Sequence, residues 1–170
     1  MPTDATRTPL RVSANRRTTR LAGHDYTRPG TYFVAICTRT RAPHLGEIEG
    51  RSVRLTDAGR IVRDCWLEIP QHFPHVTLDA FVIMPDHVHG IVVIGAAGDT
   101  AGARGNAGAR RDTRAFKSAA TRRVNLMRNT PRAALWQRNC HERIIREMDD
   151  LRRVRWYIVT NPRRGAEPQV

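Results

Sequence analysis

The chain has 170 residues, 40% of them apolar, and a net charge of +13 with a pI near 11.4. That length suits one domain with a single buried core, and no apolar run approaches the ~18 residues a membrane span needs. Cys37, Cys65 and Cys140 are scattered and odd in number, which excludes zinc-ribbon CxxC spacing and points to reduced thiols. The 29 Lys and Arg outweigh 16 Asp and Glu, and Lys117 is the sole lysine. Arginine presents a planar fork of donors that matches phosphate, so an excess of this kind points to nucleic acid. The N-terminus lacks the apolar core of a secretory signal, so a soluble cytoplasmic protein is expected.

Residues 1–20 are polar, basic and aperiodic, and read as a flexible arm carrying Arg16, Arg17 and Arg20. A Pro-Gly turn then opens TYFVAICT, a β-branched and aromatic run of strand length. EIEGRSVRL reads as a hairpin turning at Gly50. Thr56 is placed to cap a helix whose apolar positions Ile61, Val62, Cys65, Trp66 and Ile69 follow helical spacing, with Pro70 ending or kinking it. VTLDAFVIMP and HVHGIVVIG are two further strands joined at Pro85-Asp86. The Gly/Ala-rich stretch 95–112 predicts a mobile loop, and TRAFKSAATRRVNLMR after it predicts a basic helix.

A last helix is expected over about Glu142 to Thr160, with the stripe Ile144, Ile145, Met148, Leu151, Val154 and Ile158, closed by Pro162. Residues 165–170 would then be a tail and 21–164 a single domain. The order of elements fits an α+β domain with an antiparallel sheet and helices on one side.

Two features carry chemistry. In MPDHVHGIVV, His87 and His89 fall on one face of a strand while Val88 points to the other, with Cα atoms about 6.6 Å apart. Two imidazoles at that spacing can converge on one ion, or the strand can simply have a wet face; a metal site would need a third ligand. Asp86 is either a turn residue or an orienter of a histidine. Tyr157 and Asn161 lie four apart on one side of the last helix, which makes them either a phenol beside an amide ligand or a core-edge tyrosine before a helix-ending Asn-Pro. Tyr26 precedes a turn and Tyr32 lies in an apolar strand, so Tyr157 is the best placed of the three tyrosines.

Taken in order, RLAGHDYTRPGTYFVAICTRT, HLGEIEG, WLEIPQHFP, LDAFVIMPDHVHGIVVI, AFKSAATRRVN, LWQRNCHERIIR and YIVTNP resemble the HUH single-tyrosine transposases, and more closely the REP-associated tyrosine transposases. The resemblance covers about residues 16–162. It implies a ferredoxin-like antiparallel sheet flanked by helices, with the paired histidines on a central strand. It also implies Tyr157 as nucleophile, and His87, His89 and Asn161 as ligands of Mg²⁺ or Mn²⁺. Where relatives often read WQRNYYE, this chain has WQRNCHE, so Cys140 and His141 replace two tyrosines that are not the nucleophile.

The implied reaction is cleavage and rejoining of single-stranded, hairpin-containing DNA through a 5′-phosphotyrosine. It needs no nucleotide cofactor, and no GxxxxGK[ST] motif is present. Arg16, Arg17, Arg20, Lys117, Arg122, Arg123 and Arg128 are the expected phosphate contacts, with Phe116 and Trp136 as stacking candidates. Arg153, one turn before Tyr157, is a candidate for lowering the phenol pKa. The expected protein is nucleoid-associated and monomeric or homodimeric. The alternatives are a non-catalytic binder of structured DNA or RNA and a metal hydrolase without a covalent step.

Overall fold

The computed structural model describes residues 28–95 and 109–165. The expected arm, with Arg16, Arg17 and Arg20, lies outside the described residues. Strand β1 (Gly30–Cys37) runs through the middle of a four-stranded antiparallel sheet, between β5 (His87–Ile94) and β6 (His141–Ile145). β4 (Val76–Met84) pairs with the outer side of β5, so the order is β4-β5-β1-β6. β2 (Gly46–Glu49) and β3 (Ser52–Leu55) form a separate hairpin. Gly50 holds its turn at φ +59°, a conformation glycine adopts without a Cβ penalty.

Helix α1 (Asp57–Leu67) starts where Thr56 Oγ1 accepts the Gly59 N–H at 3.1 Å. Pro70 falls in the first turn of the short α2 (Ile69–His72), where its missing N–H is not needed. α3 (Ala109–Arg128) begins earlier than expected, so residues 109–112 belong to a helix and not to the loop. α4 (Met148–Gly165) ends the described chain.

Both faces of the sheet are covered. Tyr32, Val34 and Ile36 of β1 join Val88 and Val92 of β5 under Trp66 of α1 and Phe116 and Val124 of α3. On the other face Phe33 and Ala35 meet Ile91, Ile145, and Val154 and Ile158 of α4. The expectation of helices on one side is therefore corrected. A strand buried on both faces reads as an unbroken apolar run, as TYFVAIC does. Val154 and Ile158 are fully buried, and side chains of this kind contribute about 1.5–3 kcal/mol each. Their burial holds α4 on the sheet.

Two further expectations change here. Ile144 and Ile145 lie in strand β6, paired with Tyr32 and Thr31, and the helix begins only at Met148. Pairing along the open edge of β1 satisfies the backbone of residues 141–145, which outweighs their fit to a helical stripe. Pro162 and Asn161 are inside α4, not beyond it. Both are buried, and packing outweighs the single N–H bond a late proline forgoes.

Candidate active site

The register of β5 against β1 sets Val88 opposite Ile36, in the larger core, and His87 and His89 opposite Cys37 and Ala35, on the face that α4 covers. The two imidazoles have ring centroids 4.3 Å apart. They therefore lie side by side, and His89 is 4% exposed while His87 keeps a wet edge.

Helix α4 brings the phenol to them. Arg155 holds Asp79 of β4 at 2.6 Å, and Asp150 at the start of α4 holds Arg143 of β6 at 2.6 Å, so the helix is fastened on both sides of the sheet. The Asp79 carboxyl is pushed below the usual range by the Arg155 hydrogen bond, which outweighs its burial. Ile158 and Val154 face inward, and Tyr157 beside them has its ring centroid 5.3 Å from that of His89 and 6.3 Å from Phe33. One turn later the Asn161 amide nitrogen, Nδ2, meets His89 Nδ1 at 2.7 Å. Tyr32 is buried in the larger core, with its hydroxyl donating to the Arg28 carbonyl at 2.8 Å.

Charge is arranged around the pair. His87 Nδ1 meets Asp86 Oδ1 at 2.6 Å, and Arg41 Nε meets the other Asp86 oxygen at 2.9 Å. Burial would raise the Asp86 carboxyl, but the His87 hydrogen bond and the Arg41 charge hold its pKa below the usual value. A carboxylate on Nδ1 leaves Nε2 of His87 with the free lone pair, so Asp86 orients the ring as one of its two sequence readings required.

Arg41 has φ +59°, a backbone conformation rare for arginine, and its guanidinium also donates to Cys37 Sγ at 2.8 Å. His89 is pushed well below the ordinary histidine pKa by burial first, then by His87, Arg41 and His141. It is a neutral imidazole at pH 7, the form that ligates metals. Among the described residues, no three His, Cys, Asp or Glu side chains are arranged to hold a metal ion. The third donor the geometry offers is the Asn161 amide. Two imidazoles and, once its amide is turned over, the Asn161 oxygen offer three donors on one face.

Two residues of the site were not marked by the sequence. His141, opposite Ala35, brings a third imidazole to this face, 6.0 Å from the Phe33 ring; burial lowers its pKa. Only the β6 register reveals it. Arg41 follows a loop of ordinary composition and had no signal.

The expected DNA contacts divide. Arg122 is exposed, and Arg128 reaches the His44 carbonyl at 3.3 Å. Arg123 is locked to Glu68 by two bonds of 2.8 and 2.7 Å. Lys117 donates to the Gln137 carbonyl at 2.7 Å, and burial lowers its pKa. Phe116 and Trp136 are core residues, 3% and 7% exposed, and offer no face to a base. Arg153 is 73% exposed, and its ion pair is with Asp150.

A curated protein of Haemophilus influenzae, itself uncharacterised, is 34% identical over 161 residues, spanning 87% of this chain and 88% of its own. No family model matches the chain. Among solved structures, a REP-associated tyrosine transposase bound to a REP hairpin superposes with a TM-score of 0.60 at 22% identity, covering 87% of this chain and 75% of its own. A candidate transposase of Deinococcus radiodurans R1 superposes at 0.50 with 16% identity, covering 82% and 95%. Both likenesses are of fold.

Proposed function

We propose that this chain, which belongs to the same family as the Haemophilus influenzae protein and has the fold of the REP-associated tyrosine transposases, cuts and rejoins single-stranded DNA beside hairpins, with Tyr157 as nucleophile. The observation that carries this reading is the convergence of Tyr157, His87, His89 and Asn161 on one face, within a ring spacing of 5.3 Å and a contact of 2.7 Å. A pure DNA binder has no use for a phenol held against two imidazoles.

In the reaction, Tyr157 Oη attacks a backbone phosphorus and the P–O3′ bond breaks. The phenol proton passes to solvent, the 3′ oxygen leaves as a hydroxyl, and the 5′ phosphate stays on the tyrosine. Attack by another 3′-OH reverses the step and joins new ends, with the bond energy conserved in the phosphotyrosine. A bound Mg²⁺ or Mn²⁺ supplies Lewis-acid polarisation of the phosphate oxygens. His87, His89 and Asn161 would hold it, and Asp86 fixes the tautomer of His87. Buried His89 and Ile158 and the two ion pairs of α4 keep the phenol in place, which matters because phosphoryl transfer depends chiefly on positioning and charge. Residues 21–164 act in this reading as one domain. Arg16, Arg17 and Arg20 of the basic arm and Arg122 and Arg128 of α3 supply phosphate contacts.

The test uses hairpin DNA from beside the protein's own coding region, incubated with wild type or Tyr157→Phe, in Mn²⁺ or EDTA. A denaturing gel should show a protein–DNA adduct only with the tyrosine and the metal together. Cleavage by both proteins without an adduct would replace the reading with metal-dependent hydrolysis.

A further inference from the structure

Arg41 sits on a loop that is built to hold it beside the histidine pair. The loop follows β1 and is tied twice to the turn before β5. Thr38 N–H donates to the Asp86 carbonyl at 2.8 Å, and Leu45 N–H donates to the Pro85 carbonyl at 2.9 Å. Thr38 and Leu45 are fully buried, so both ties are rooted in the core. Arg41 itself takes φ +59°, a left-handed conformation that costs a residue with a Cβ free energy. Strain of this kind persists only where the surroundings enforce it, and it clusters at functional sites.

The guanidinium is only partly used. Nε meets Asp86 Oδ2 at 2.9 Å, and Nη1 donates to Cys37 Sγ at 2.8 Å. Nη2 makes no hydrogen bond among the described residues, and the side chain is 44% exposed. A thiol is a weak acceptor and an exposed ion pair is worth little, so the head can take a better acceptor. Arg143 and Arg155, which fasten α4, instead place two nitrogens each on one carboxylate.

Both partners of Arg41 belong to the site. Cys37 lies opposite His87 in the pairing of β1 with β5, and Asp86 contacts His87 Nδ1. The Arg41 charge also acts on buried His89. A phosphate brought to the two histidines approaches the Asp86 carboxylate, whose charge opposes it. Arg41 offsets that charge and brings unused N–H donors to the same place.

We propose that Arg41 is a further catalytic residue, whose unused N–H groups meet a non-bridging oxygen of the scissile phosphate as Tyr157 Oη attacks. This role rests on the reaction proposed above and deepens it. The bond from Tyr157 Oη to phosphorus forms while the P–O3′ bond breaks, and Arg41 stabilises the charge shared by the phosphate oxygens. A guanidinium does not deprotonate in proteins, so Arg41 keeps its proton and only donates hydrogen bonds. The tied loop sets the donor in place before the DNA arrives, so it costs no reorganisation during the reaction.

The experiment uses the full chain and hairpin DNA from beside its own coding region, with the cleavage position mapped on wild type. Wild type, Arg41→Gln, Arg41→Gly and Arg39→Gln are compared in single-turnover cleavage at saturating Mn²⁺ and DNA. Arg39→Gln removes an exposed charge from the same loop. A second substrate carries a neutral methylphosphonate at the scissile position. Hairpin affinity, Mn²⁺ affinity and urea midpoints are measured in parallel.

Arg41→Gln should slow cleavage about 100- to 1,000-fold, the cost of removing one preorganised donor. Hairpin affinity should hold, and Mn²⁺ affinity should fall less than in Asp86→Ala. Arg41→Gly fits the positive φ without strain, so its rate should fall as far while its urea midpoint is no lower than that of Arg41→Gln. On the methylphosphonate, which lacks the charge Arg41 would meet, wild type and Arg41→Gln should react at the same slow rate. Arg39→Gln should match wild type on both substrates.

An unchanged rate in Arg41→Gln would overturn the proposal, as would a loss seen only in Mn²⁺ or hairpin affinity. An equal fold loss on both substrates would also overturn it, since a merely structural role does not depend on the phosphate charge. Adduct formation separates this role from the reaction it serves. Cleavage without an adduct, with the Arg41 effect intact, would reject the tyrosine step and keep Arg41. Adduct formed at equal rates by wild type and Arg41→Gln would reject Arg41 and keep the tyrosine step. A wild type that cuts no hairpin would overturn both.

Discussion

Replacing Asp86 by alanine probes how the histidine pair is made ready. Its carboxylate makes a charge-assisted bond of 2.6 Å to His87 Nδ1 and an ion pair of 2.9 Å to Arg41. The Arg41 pair is 44% exposed on the guanidinium side, and such pairs contribute at most about 1 kcal/mol. The bond to His87 matters more, because it fixes which ring nitrogen keeps its lone pair. Loss of an orienting partner of this kind costs about 10- to 100-fold in metal affinity, or about 1.4–2.7 kcal/mol.

Asp86→Asn keeps an oxygen acceptor but not the charge, and should fall between wild type and alanine. Arg41→Gln leaves the His87 bond in place and should cost less than either. The assay is a Mn²⁺ titration followed by electron paramagnetic resonance, with urea unfolding to show that each variant is folded. Wild-type Mn²⁺ affinity in the alanine variant would refute the argument that Asp86 sets the tautomer of His87.

Other consequences follow from the packing and from the titration of the site. Gly90→Ala places a Cβ inside contact distance of the Trp66 ring, so the variant should lose about 1–3 kcal/mol by overpacking, read as a lower urea midpoint with an unchanged m-value. A wild-type midpoint would mean that Trp66 is free to move. In EDTA, stability should fall with acid. His89 stays neutral in the fold below the pH at which the unfolded histidine, with a pKa near 6.5, takes a proton.

Below about pH 6.5 the unfolded chain therefore binds the extra proton, and this term removes up to about 1.4 kcal/mol per pH unit. His141, also shifted down by burial, adds to the slope. Urea midpoints between pH 7 and 5 should decline less steeply in His89→Gln; identical slopes would show that His89 is protonated in the fold.

The parts of this structure that were readable in advance are those with a local cause. The strand around His87 and His89 is marked by its β-branched neighbours, and alternation alone sends the two rings to one face. Thr56 caps α1 through its own hydroxyl, and Gly50 turns the hairpin. What was not readable depends on distant partners. HERII has no alternation, and Ile144 and Ile145 extend the stripe of the following helix; only the vacant edge of β1 makes them a strand. Pro162 is an ordinary stop signal that burial overrules.

In the site, the spacing of Tyr157 and Asn161 placed them on one face, but their approach to His89 depends on the anchors Arg155–Asp79 and Arg143–Asp150, which join residues far apart in the chain. Lys117 and Arg123 look like surface cations in the sequence, and only the fold shows the carbonyls and the Glu68 carboxylate that hold them.

The central claim is that the Tyr157 phenol carries the DNA during the reaction. Mass spectrometry of the nuclease-trimmed, proteolysed product of the Mn²⁺ reaction tests it directly. The account predicts a nucleotide joined through its 5′ phosphate to the peptide containing Tyr157, absent in EDTA. Cut DNA with a free 5′ phosphate and an unmodified Tyr157 peptide would contradict it.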